Sequence, residues 1–123
     1  MQKVLAVLAL VVSLAYSGQA MSQWAGDGNR LLKSCESWEA GSSDVGWGLC
    51  SGTVSALADV FNETTYRFRV CYPEGVTSGQ LARVTLKWLR ENPASLHNGA
   101  NELVWSSHIA AFSLAVDGVC PGD

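Results

Sequence analysis

The sequence predicts an all-α fold, a small four-helix up-and-down bundle with two disulfides. Three observations lead there. Apolar residues recur at three- and four-residue spacing in four separate segments. Helix-start and helix-stop residues bracket those segments, most clearly Thr77 with Gln80 before one and Pro93 after it. Four cysteines form an even set in a short chain that opens with an export signal.

The export signal occupies residues 1–20. Lys3 supplies a positive start, and only Ser13 interrupts the apolar run from Val4 to Tyr16. Gly18 and Ala20 then stand at −3 and −1 of a cleavage site before Met21. The run is short for a bilayer span, which needs about 20 residues. The expectation is a signal peptide over 1–20 and one helical domain over 21–123. No later segment is apolar enough to span, so no membrane association is expected after cleavage. A domain of this size buries only about two-thirds of its unfolded surface, which makes covalent staples useful.

The first helix is expected over 22–38. Trp24, Leu31, Leu32, Cys35 and Trp38 share a stripe, with Gly26 and Gly28 weakening its start. Turn residues at 39–44 separate it from a second helix over 44–62, capped by Asp44 or Ser43. Trp47, Cys50, Val54, Leu57, Ala58 and Phe61 form its apolar face. The small residues between them, Gly46, Gly48 and Gly52 among others, suit the close approach of another helix. Residues 62–76 alternate polar and apolar at Tyr66, Arg67, Phe68, Arg69 and Val70 and read as an extended connection without a partner strand.

The third helix is expected over 78–91. Thr77 and Gln80 complete a capping box, and Leu81, Val84, Thr85, Trp88 and Leu89 face inward. The fourth is expected over 95–116, capped by Ser95. Leu96, Ala100, Leu103, Ser107, Ala110 and Leu114 make one stripe; Trp105, Ile109, Phe112 and Val116 make a second. A helix apolar on two stripes is central to its bundle or shared with another subunit.

In an up-and-down arrangement Cys35 and Cys50 meet at one end of the bundle, and Cys71 and Cys120 at the other. This favours Cys35–Cys50 and Cys71–Cys120 over the two other pairings. A zinc site would need closer pairs than gaps of 15, 21 and 49 residues allow.

Charge and motifs exclude several function classes. Without Lys3 the chain carries seven basic and eleven acidic residues, a net charge of −4, and the basic residues are scattered. Phosphate neutralisation needs a basic stripe, so no nucleic-acid partner is expected. No H-E-x-x-H, G-x-S-x-G or phosphate-loop pattern occurs. His97 is expected to be exposed. Ser107 and His108 are adjacent, so on a helix they do not face each other as a dyad. The chain reads as a non-enzyme with no catalytic residue, cofactor or metal. Of the five tryptophans, most fall on buried stripes, and Trp24 and Trp105 are the interface candidates.

Three stretches carry a family resemblance. One is Gly48-Leu-Cys-Ser-Gly-Thr-Val-Ser-Ala-Leu-Ala-Asp59. Another is Cys71-x-Pro-Glu-Gly-Val-Thr-x-Gly-Gln-Leu81, continuing through an apolar helix to Pro93. The third is a final helix closing in Cys120 before Pro121. Over roughly 30–121 the chain resembles the Tai-type (Rap/Tai) immunity proteins. That family protects bacteria from the peptidoglycan amidase effectors of type VI secretion systems. The resemblance implies a periplasmic all-α domain, a homodimer, that binds a cognate amidase and blocks its cleft. The glycine in Val116-Asp-Gly-Val119 departs from the longer apolar ending of the family.

By position, the polar junction between the third and fourth helices is the expected partner-binding surface: Arg90, Glu91, Asn92, Ser95, His97 and Asn98. The competing function is a periplasmic helical binding or chaperone-like module without a toxin partner. Two histidines give such a module little switching capacity near pH 6.

Overall fold

In the computed structural model of the chain, residues 26–63 and 68–122 are described. The expected signal peptide, Trp24, and the alternating pair Tyr66 and Arg67 lie outside them.

Four α-helices form. Helix α1 spans Gly28–Glu39; Asp27 is in extended backbone before it and accepts a hydrogen bond from the Arg30 N–H at 3.1 Å. Helix α2 spans Val45–Phe61, and the Asp44 carboxylate accepts from the Trp47 N–H at 3.0 Å. Ser37 Oγ of α1 donates to that same carboxylate at 2.9 Å, so one cap also closes the α1–α2 corner. Helix α3 spans Ser78–Glu91 behind a complete capping box. Thr77 Oγ1 accepts from the Gln80 N–H at 3.2 Å, and Gln80 Oε1 accepts from the Thr77 N–H at 2.8 Å. A short 3-10 turn, Pro93–Ser95, leads to helix α4, Ala100–Ala111.

Helix α4 is shorter than expected at both ends. Pro93 starts the 3-10 turn, and the following loop is then bonded to the start of α1 instead of continuing helically. The Gly28 N–H donates to the Asn98 carbonyl at 3.0 Å, and the Asn29 N–H donates to the Leu96 carbonyl at 3.1 Å. Gly28 is required there, because an added Cβ would meet the Leu96 carbonyl oxygen at 2.8 Å and its Cα at 2.9 Å. The N-cap is therefore Gly99 and not Ser95. At the other end Phe112 turns extended, and strand β2, Ser113–Leu114, pairs antiparallel with strand β1, Val70–Cys71. The register is Val70 with Leu114 and Cys71 with Ser113. The connection before α3 thus has a partner strand, contrary to expectation. Leu114 and Val116 leave the expected helical stripe and are exposed, as is Ala110.

The core gathers Leu31 and Cys35 from α1, and Cys50, Val54 and Ala58 from α2. Leu81, Ala82, Leu86 and Leu89 of α3 and Ala100, Leu103 and Val104 of α4 complete it with Leu96. Cys35 is bonded to Cys50 inside this core, and both are fully buried. Cys71 is bonded to Cys120, tying β1 to the chain's end across 49 residues. That is the pairing favoured from the order of the helix ends.

Two burial expectations fail on α2. Trp47, placed on the inner face by spacing, is 45% exposed. Gly48 and Gly52, read as sites of close helix approach, face solvent, and a Cβ added at either would meet nothing within 4 Å. The rest of the expected face holds: Cys50, Val54 and Ala58 are buried, and Leu57 and Phe61 pack against the core, so only Trp47, in the first turn of the helix, lies outside it. Trp38, Trp88 and Trp105 are half-buried. The largest ring sealed in the interior is instead that of His108.

Candidate functional site

The polar interior is built around His108 on α4, which is fully buried. Tyr72, just after β1, places its hydroxyl 2.7 Å from His108 Nδ1. Thr85 of α3 places Oγ1 3.2 Å from His108 Nε2 and 3.1 Å from Ser107 Oγ. Ser107 Oγ donates to the Val104 carbonyl at 2.8 Å.

One arrangement of protons satisfies all four of these contacts. Ser107 has spent its hydrogen on Val104, so it accepts from Thr85. Thr85 Oγ1 therefore accepts from His108 Nε2–H, and His108 Nδ1 accepts from the Tyr72 hydroxyl. Each buried donor and acceptor is used, and no buried side-chain polar atom among the described residues is left unpaired. Phe61, Tyr72 and Phe112 surround the imidazole edge-on at centroid distances of 6.1, 5.6 and 6.0 Å.

The electrostatics follow from this enclosure. Burial pushes His108 down to about 4, only partly opposed by a hydrogen bond to the Leu81 backbone. Burial, reinforced by the charge of Asp59, holds the Tyr72 hydroxyl well above the usual tyrosine range. The imidazole is buried and neutral at pH 7, with a side-chain partner at each ring nitrogen. It joins α3, α4 and the segment just after β1. Ser107 and His108 do not bond to each other and meet only through Thr85.

The sequence signal for this cluster is present but indirect. Thr85 and Ser107 fall on otherwise apolar stripes, and a buried hydroxyl demands a partner. Tyr72 and His108 carry no comparable signal, because their meeting depends on a strand pairing that local patterning does not announce.

Of the expected partner-binding junction, Arg90, Glu91 and His97 are exposed and Asn92, Ser95 and Asn98 are half-buried, and much of it is engaged by the fold. Arg90 bridges to α1: Nη2 lies 2.6 Å from Glu39 Oε2, and Nε lies 3.8 Å from Glu36. The bond from Arg90 holds the Glu39 carboxyl below its ordinary range. Asn92 Nδ2 donates to the Trp88 carbonyl at 2.8 Å, and the Ser95 N–H donates to the Asn92 carbonyl at 3.1 Å. Asn98 donates to Glu102 at 3.4 Å through its side chain and accepts from Gly28 through its carbonyl. Glu91 lies 3.8 Å from Lys87 on the exposed side of α3. His97 is exposed at the loop tip.

Among the described residues no group of histidine, cysteine, aspartate and glutamate side chains is placed to hold a metal ion. No described helix is long and apolar enough to cross a membrane. Among curated proteins and among solved structures, nothing matched the chain. Residues 27–113, which run from the cap of α1 to the first residue of β2, match the family of Rap1a immunity proteins. With all four helices inside that match, the chain belongs to the Rap1a immunity protein family.

Proposed function

We propose that the chain is a periplasmic immunity protein that binds and occludes a cognate peptidoglycan amidase toxin of a type VI secretion system. The family match over 27–113 carries this reading. The leader-like sequence at 1–20 supports export to the compartment where such a toxin acts. Two disulfides suit the same oxidising compartment. The buried, fully bonded His108 supports action by occlusion, with the interior polar groups serving the fold. In this reading the chain works as a homodimer, and its exposed apolar residues Val60, Phe68, Val116 and Val119 suit an interface.

The partner-binding surface in this reading includes the junction of α3 and α4: Arg90, Glu91, Asn92, Ser95, His97 and Asn98. Arg90, Asn92 and Asn98 hold the junction rigid, which leaves Glu91 and His97 as the side chains most open to a partner. The test is co-expression with a panel of periplasm-directed peptidoglycan amidases, including any encoded beside this chain. Rescue from lysis by one amidase supports the reading. Rescue from none favours a helical binding module without a toxin partner.

A further inference from the structure

Asn98 precedes Gly99 in the loop between the 3-10 turn and α4. The side-chain amide of an asparagine can be attacked by the backbone nitrogen of the next residue, which closes a five-membered ring. Three conditions favour the attack: a following residue without Cβ, a backbone N–H that no acceptor holds, and a loosely held amide. The five asparagines of the chain differ in all three. After Asn29, the Arg30 N–H donates to Asp27 Oδ1 at 3.1 Å. After Asn62, the Glu63 N–H donates to the Val60 carbonyl at 3.2 Å. Asn92 is followed by Pro93, which has no N–H. Asn101 lies in the first turn of α4, where the ring cannot close without unwinding the helix.

Only Asn98 meets every condition. Gly99 is exposed, in extended backbone at φ −63° and ψ 142°, and its N–H has no acceptor among the described residues. The Asn98 amide is held by a single bond from Nδ2 to Glu102 Oε1, at 3.4 Å, near the limit of a hydrogen bond. Gly99 is also the N-cap of α4, where the positive end of the helix dipole favours loss of the proton from that nitrogen. Asp27–Gly28 supplies the contrast: its glycine N–H is held by the Asn98 carbonyl at 3.0 Å.

We propose that Asn98–Gly99 is a modification site, where the chain deamidates without an enzyme and so loosens the clasp between α1 and α4. The Gly99 nitrogen gives its proton to base and bonds to Asn98 Cγ. The Cγ–Nδ2 bond breaks, and the amide nitrogen takes a proton from water and leaves as ammonia. Water then opens the cyclic imide. Opening at Cγ gives aspartate; opening at the former main-chain carbonyl gives isoaspartate, whose main chain runs through Cβ and Cγ. No electrons are exchanged, and water is the only co-reactant.

The two products act differently on the fold. Gly99 is bridged to Asp27: the Asn98 carbonyl accepts from Gly28, and the Ala100 N–H donates to the Gly26 carbonyl at 3.1 Å. Aspartate keeps both bonds, and the helix N-terminus offsets its charge beside Glu102. Isoaspartate adds a methylene to the main chain between the two bonds and moves the Gly28 acceptor onto a free carboxylate. The contact has no slack, since even a Cβ on Gly28 would meet the Leu96 carbonyl oxygen at 2.8 Å. This chemistry needs no partner, so it stands independently of the immunity reading.

The test ages the folded chain in mildly alkaline buffer at body temperature. Peptide mapping then uses mass-spectrometric fragmentation that separates aspartate from isoaspartate. Asn98 is expected to convert first of the five asparagines, with isoaspartate the larger product. Gly99→Ala, whose Cβ would meet only the end of the Asn101 side chain, should slow conversion severalfold. Conversion elsewhere first, or an Asn98 that stays intact in the folded chain after the unfolded chain has converted, overturns the site. The isoaspartyl form, separated chromatographically, is then melted beside wild type and Asn98→Asp. It should melt roughly 4–8 °C below wild type, the shift for about one net hydrogen bond, with Asn98→Asp close to wild type. Equal melting of the isoaspartyl form and wild type overturns the loosening of the clasp.

Discussion

Acid should weaken this fold well before its carboxylates protonate, and His108 is the reason. In the unfolded chain the imidazole takes a proton at about its ordinary value of 6.5; in the folded chain it resists until about 4. Between those values the unfolded state binds more protons, so stability rises with pH across the window and falls as pH drops through it. Lowering the pH from 7 to 5 then costs about 2 kcal/mol from this one group. Asp27, Glu39 and Asp44 are held below the ordinary carboxylate range, so their share is lost only at more acid pH. For a domain of about 100 residues, 2 kcal/mol lowers the melting temperature by roughly 8–16 °C. The assay is thermal unfolding by circular dichroism at pH 7 and pH 5 for wild type, His97→Gln and His108→Gln. Wild type and His97→Gln should share the acid loss, and His108→Gln, though weaker throughout, should show little of it. NMR titration of the folded wild type should place the His108 ring near 4. Equal melting temperatures at the two pH values, or a His108 ring titrating near 6.5, would refute the argument.

Three further outcomes follow from burial and close contact. Under mild reductant Cys71–Cys120 should open before Cys35–Cys50, because the first pair is half-buried and the second fully buried; alkylation with mass mapping reads the order. Gly28→Ala should destabilise by about 1–3 kcal/mol, since the new methyl meets Leu96 backbone and the Leu103 side chain; denaturant midpoints measure it. Thr85→Val keeps the volume but removes the link between His108 and Ser107, at a cost of about 1–3 kcal/mol in the same assay.

Local signals in the sequence located what local chemistry decides. The capping box of Thr77 and Gln80 and the stop at Pro93 bracket α3 to the residue, because both act within a single turn of chain. Asp44 is the cap of α2 for the same reason. The disulfide pairing is the one favoured from an assumed up-and-down order of the helices. The ends of α4 were not legible. Its start is set by bonds from Gly28 and Asn29, some 70 residues away, and its end by pairing with Val70 and Cys71. Trp47 illustrates the same limit on one helix: its spacing suits the inner face that Cys50, Val54 and Ala58 occupy, but it sits in the first turn of α2 and is 45% exposed.

The two halves of the fold are secured differently, and this bears on function. Helices α1 and α2 share a disulfide that is part of the hydrophobic core, so loss of Cys35 or Cys50 leaves a buried defect. The Cys71–Cys120 bond lies outside that cluster. Its two ends fall on either side of residue 113, where the family match stops. What it restrains is the root of the Pro73–Val76 turn and the tail after β2. The core of α3 and α4 has its own buried leucines and the His108 network to hold it. A Cys71→Ser, Cys120→Ser variant should therefore stay folded, with the loss of about 2–4 kcal/mol that a disulfide of this loop length carries. Its melting transition should remain cooperative and its helical circular dichroism unchanged. In the immunity reading, protection against a cognate amidase should fall further than the remaining stability accounts for if the Pro73–Val76 turn or the tail after β2 contacts the partner, because both have lost a restraint. Protection that tracks stability alone would mean the bond serves the fold and the turn needs no such anchoring.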